Sequence, residues 1–191
     1  MVKLIAAFSV SLVLAQFGDF LQKAGVEAPL PLSEEMLFNT IVRTNEEMMS
    51  TRVLGRYFLD YWMGKVRVFT DREEDIHRTL SRLDPQEMVD LSQQSSVIDE
   101  EQAREIACQI FYRLGHQDRD FEPPVVHRFT YQPNEFDSHV LLLPYFHVQW
   151  GLKGVERTGS SILDPFVKMI VSGRTKHLIY YSTASMGRFD K

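Results

Sequence analysis

Residues 99–115 read DEEQAREIACQIFYRLG, and this stretch decides the fold. Asp99 and Gln102 have the spacing of a capping box, in which each side chain satisfies a backbone N–H at the helix start. Ala103, Ile106, Ala107, Ile110 and Leu114 then recur three and four apart on one stripe. Gly115 suits the position just past a helix end. The spacing predicts a helix over 99–114, stopped before Pro123-Pro124, that must bury its stripe. Four strand-like runs follow, at roughly 125–131, 140–150, 166–172 and 177–183, with Ser172-Gly173-Arg174-Thr175 as a turn between the last two. A helix followed by an antiparallel meander predicts an α+β fold whose sheet covers that stripe.

Period-two alternation assigns the strand faces. Phe146, Val148 and Trp150 are expected in the core, with Tyr145, His147 and Gln149 opposite. In 125–131, Val125, Phe129 and Tyr131 form the more apolar side, which predicts Arg128 and Thr130 outward. In 166–172, Val167, Met169 and Val171 oppose Phe166, Lys168 and Ile170.

Working outward, 33–98 reads as a smaller helix–hairpin–helix unit. Ser33, Glu34 and Glu35 look like a helix start, and Leu37, Ile41, Val42 and Met48 give the expected helix 33–48 an apolar side. Residues 51–70 predict a hairpin, with Val53, Tyr57, Leu59 and Tyr61 on one side, Arg52, Arg56 and Asp60 on the other, and a turn at Met63-Gly64-Lys65. A charged helix is expected from Asp71, carrying Ile76, Leu80 and Leu83, and another from Asp84-Pro85. The polar run 92–98 marks a soft boundary before the second unit, 99–191. The first half repeats the helix-then-strands order of the second and reads as a degenerate copy.

Residues 1–15, MVKLIAAFSVSLVLA, have the form of a secretory signal: Lys3, an apolar run from Leu4 to Leu14, and Val13 and Ala15 before a cut at Gln16. That predicts an exported, periplasmic or extracellular protein, with 16–32 as a linker holding at most a short helix around Phe17–Ala24. No run approaches the about 20 apolar residues of a transmembrane helix. Composition narrows the class further. The chain has 191 residues, 44% of them hydrophobic and 25% charged, which is ordinary globular usage. A net charge of −5 argues against nucleic acid as partner. One cysteine excludes an internal disulfide.

The second half, through EQAREIACQIFYRLG (101–115), LPYFHVQW (143–150), FVKMIVSGRTK (166–176) and IYY (179–181), resembles the PepSY-like domains of exported bacterial proteins, with a cystatin-like relative as the alternative. The resemblance covers about residues 99–183 and departs from the family in the longer strand 140–150 and the insertion 151–165. It implies a helix packed on an antiparallel sheet, a non-catalytic role restraining peptidases or binding proteins, and no catalytic residues to transfer.

The residues themselves supply little chemistry. His77, His116, His127, His139, His147 and His177 form no zinc-spaced motif. Cys108 lies about 140° from the helix stripe at 100° per residue, outside the helix–sheet core, with no activating base nearby. Gly159-Ser160-Ser161 lacks the nucleophile-elbow pattern. The expectation is no catalytic, metal or cofactor site. The expected function is a non-enzymatic protein- or peptide-binding module using the sheet face of Arg128, Tyr145, His147, Gln149 and Lys168 or the 151–165 loop, with an edge around Phe136, Leu141, Leu142 and Pro144 for strand addition. The competing expectation is a carrier for a small apolar ligand, lined by Trp62, Met63, Trp150 and Met169.

Overall fold

The computed structural model describes residues 9–74, 84–132, 139–154 and 166–183. Helix α1 (Val10–Ala24) leads into four strands, β1 (Leu37–Arg43), β2 (Met48–Val53), β3 (Tyr57–Trp62) and β4 (Lys65–Asp71). Helices α2 (Pro85–Gln93) and α3 (Glu100–Arg113) precede β5 (Val125–Tyr131), β6 (Leu141–Gly151), β7 (Phe166–Ser172) and β8 (Leu178–Thr183). The fold is α+β, with one eight-stranded sheet in the order β1-β2-β3-β4-β8-β7-β6-β5. Every neighbouring pair is antiparallel. A helix followed by a four-stranded meander therefore occurs twice. The last strands of the two meanders join in register, Val68 with Ser182, Phe69 with Tyr181 and Thr70 with Tyr180.

Helix α3 forms as its sequence demands. Asp99 accepts from the Gln102 N–H at 2.9 Å, and Gln102 accepts from the Asp99 N–H at 3.1 Å. Ala103, Ala107 and Ile110 are buried against the sheet, and Phe111 joins them, stacked on Trp150 with centroids 4.5 Å apart. Cys108 is half-buried at the margin of this core. The strand alternation holds in β6: Phe146, Val148 and Trp150 meet the helices on what we call the inner face.

The first half departs from its expected layout. No helix spans 33–48. Ser33 opens only a 3-10 turn, Glu34–Met36, and makes no side-chain cap. The apolar residues Leu37, Ile41 and Val42 belong to edge strand β1, where Phe38, Ile41 and Val42 stay exposed. An i, i+4 pattern of apolar residues fits either period over so short a run, and pairing with β2 settles it. The expected hairpin is three strands. A turn at Leu54-Gly55-Arg56 breaks 51–62, and Met63-Gly64, both at positive φ, makes the two-residue turn to β4. Val53, Tyr57, Leu59 and Tyr61 are all buried, as alternation requires. Asp71 ends β4 instead of starting a helix. It is buried and clamped by Arg56 through Nε at 2.9 Å and Nη2 at 2.6 Å. Ile76, Leu80 and Leu83 lie outside the described residues, as do His77, Phe136 and positions 155–165.

The helix of the first half is α1, and it replaces most of the expected linker. Ser9 caps it, and Gly25 ends it in the left-handed conformation at φ 72°. Val13, Leu14, Phe17, Phe20, Leu21 and Ala24 are buried, so the helix runs unbroken through the expected cut at Ala15–Gln16. Phe20 sits over the junction of the two meanders, 5.6 Å from Phe69 and 5.2 Å from Tyr181 between ring centroids. Phe17→Ala should lower unfolding free energy by about 3–5 kcal/mol in a denaturant melt, because a fully buried ring leaves a cavity. A change under about 0.5 kcal/mol would restore the linker reading.

Candidate functional site

The sheet has two unlike faces. The inner face is filled by α1 and α3. On the outer face α2 covers one end. An Asp84–Glu87 capping box starts it, and Met88 and Leu91 bury against Leu143, Tyr145, Ile170 and Ile179. Beyond α2 the outer face runs across β3, β4 and β8 with half-buried side chains: Phe58, Trp62, Arg67, Val68, Tyr180 and Ser182.

The expected binding set does not share one open surface. Tyr145 is only 3% exposed beneath α2, and burial pushes its phenol up from the usual range. Arg174 lies 5.9 Å over its ring and 3.4 Å from its hydroxyl, and also bonds Gln94 at 2.6 Å. Arg128 is on the inner side, in register with Phe146, with its guanidinium 5.8 Å over that ring and Nε bonded to the Leu143 carbonyl at 2.9 Å. The physical reason lies in β5. Its more apolar side, with Phe129 and Tyr131, packs into the α2 cluster rather than the main core. His147, Gln149 and Lys168 do share the outer face, each half-buried. His147 stacks on Phe129 at 6.0 Å, and Gln149 pairs in register with Lys168.

From Lys168 the register continues as a band, through Ser182 and Val68 to Asp60 and Ser50. A bulge between Asp60 and Tyr61 places Arg67 and Val68 together opposite Asp60. The Arg67 guanidinium lies 4.3 Å over the Trp62 ring. Ser50 Oγ donates to Asp60 at 2.6 Å. Phe58 lies beside the band, in register with Arg52 and Thr70. Alternation in 57–62 could have found Phe58 and Trp62, since they oppose the buried Tyr57, Leu59 and Tyr61. Nothing in the sequence marks the bulge that delivers Arg67.

The carrier residues lie on different sides. Trp150 and Met169 are fully buried in the inner core, Trp62 is on the outer face, and Met63 is 62% exposed in a turn. Among the described residues no group of three or more His, Cys, Asp or Glu could hold a metal ion. No helix among them is long and apolar enough to cross a membrane. Burial pushes the Cys108 thiol up, which disfavours the thiolate a nucleophile needs. Comparison with known proteins finds no matching family model, no matching curated protein and no matching solved structure.

The most perturbed titratable pair is internal. His116, just past α3, packs 4.7 Å from Phe111 with Nε2 3.1 Å from the Tyr181 hydroxyl. Burial, helped by Lys65, pushes its imidazole down to about 4, so it is neutral at pH 7. The unfolded chain binds that proton more readily, so the contribution is complete above about 6.5 and is lost as pH falls toward 4. Lowering pH across that window should cost up to roughly 2–3 kcal/mol in urea melts, and His116→Phe should flatten that part of the profile. A second check concerns Tyr145. Tyr145→Ala should destabilise by about 3 kcal/mol, while Gln149→Ala should stay within about 0.5 kcal/mol.

Proposed function

We propose that this chain is a non-enzymatic binding module whose docking surface is the part of the outer sheet face that no described helix covers, centred on β3, β4 and β8. One observation carries the reading: Phe58, Trp62, Val68 and Tyr180 lie half-buried on one face of the adjacent strands β3, β4 and β8, while the inner face is filled. Aromatic side chains on a fixed backbone lose little rotamer freedom on contact, which suits a protein or peptide partner. The helix α3 followed by the β5–β8 meander is consistent with a PepSY-like module in the second half.

Export belongs to the same reading, with a structural consequence. Cleavage after Ala15 would remove Val13 and Leu14 from the core together with the first turns of α1. Mass spectrometry of the protein from its native cell should find Gln16 as the first residue. An intact residue 1 in the cytoplasmic fraction would defeat the export reading.

The docking face is tested by capture. A Phe58→Ser/Trp62→Ser variant and a Tyr112→Ser control on the exposed side of α3 are compared with the parent chain on native extract. Both should keep the parent circular dichroism, and the face variant alone should lose the captured protein. Equal capture by the face variant would reject this surface.

A further inference from the structure

The outer face is charged in a way the whole chain is not. The protein carries a net charge of −5. Yet the described strand residues bring Arg52, Arg67 and Lys168 to the part of the outer face that α2 does not cover, half-buried, and none of them has an ion pair among the described residues. The carboxylate among them, Asp60, is held by the Ser50 hydroxyl. Arg67 is the most exacting of the three. Its guanidinium is fixed over Trp62, and its Nε is buried without a hydrogen-bond acceptor. That nitrogen is sealed from solvent, so an arriving anion meets the guanidinium at its terminal amino edge, and a carboxylate is the acceptor whose geometry fits such an edge. Lys168 lacks a counter-ion among the described residues as well, and burial lowers its ammonium pKa, so a bound anion would relieve both conditions.

We infer that this band receives an acidic peptide segment, with carboxylates on Arg67 and Lys168 and apolar side chains on Phe58, Val68 and Tyr180. The inference rests on the docking face proposed above and adds the chemistry of its occupant. The Arg67 guanidinium lies over Trp62 of β3, and β3 is three strand spacings from Lys168 of β7, roughly 15 Å, which about four residues of extended peptide span. A partner with Asp or Glu at that interval meets both cations. Nucleic acid is the poorer match. Arg67 already occupies a face of Trp62 where a base would stack, and the chain's net negative charge opposes a polyanion.

The experiment uses the full chain and fluorescence anisotropy with labelled ten-residue probes. One carries Asp and Glu at every fourth position among Leu, Val and Ser. A second has each acid replaced by its amide, and a third is oligo(dT). Thermal melts confirm that Arg67→Gln, Lys168→Met and Phe58→Ser remain folded. The acidic peptide should bind about tenfold or more tightly than its amide, weaken with added salt, and lose about tenfold in Arg67→Gln and severalfold in Lys168→Met. Equal binding of acid and amide peptides, both lost in Phe58→Ser, would overturn the acidic preference while leaving the docking face standing. Acidic-peptide binding that none of the three variants weakens would overturn both. Tighter binding of oligo(dT), or no binding by any probe, would overturn the acidic-peptide assignment.

Discussion

The β4–β8 seam holds this molecule together. Each meander alone would end in an unpaired strand, a row of open N–H and C=O groups beside water. Joining the two strands antiparallel removes both edges and makes one sheet of two halves. The seam has few backbone pairs, so side chains reinforce it. Phe69 and Tyr181 face each other across it, Phe20 of α1 covers both rings, and His116 from the end of α3 meets the Tyr181 hydroxyl. One aromatic cluster therefore ties α1, α3 and both meanders. This explains why a neutral, desolvated imidazole is tolerated there.

The seam also separates the two faces by task. Bulk is concentrated inside, where Trp150, Phe111, Phe17 and Phe69 are fully buried. Outside, α2 seals the end bearing Tyr145 and Leu143. Its position is fixed by the loop that follows it: the Val97 N–H donates to the Gly173 carbonyl, and the Gly173 N–H donates to the Pro144 carbonyl, both at 2.8 Å. A side chain at position 173 would collide with Ser96 and the Pro144 carbonyl, so glycine alone permits this approach. What α2 leaves open is the half-exposed aromatic and basic band.

Legibility followed the length and regularity of the signal. Helix α3 and strands β5 to β8 could be read closely, because a capped stripe of fourteen helical residues and four alternating runs admit few other structures. The first half was harder. Phe17, Phe20 and Leu21 follow directly from an apolar N-terminal run, so a continuous core helix has the same composition as a leader and linker. Leu37, Ile41 and Val42 satisfy helical spacing as well as strand propensity, and only the partner strand β2 decides between them. The candidate surface was half legible. Gln149, His147 and Lys168 share a face by simple parity, whereas Arg128 lies inward against its alternation because β5 is apolar toward a second, smaller cluster. Arg67 depends on a bulge, a tertiary event without a local code.

The central position of β8 has a temporal meaning. Among the described strands it is the last to leave the ribosome, yet it sits between β4 and β7 in the middle of the sheet. The nascent first half must wait with β4 and the flank of Phe20 uncovered until more than a hundred further residues are made. Completion of the sheet is thus a late, long-range closure, of the kind that is slow and vulnerable to self-association while pending. A cell making this protein has reason to shield it until β8 arrives.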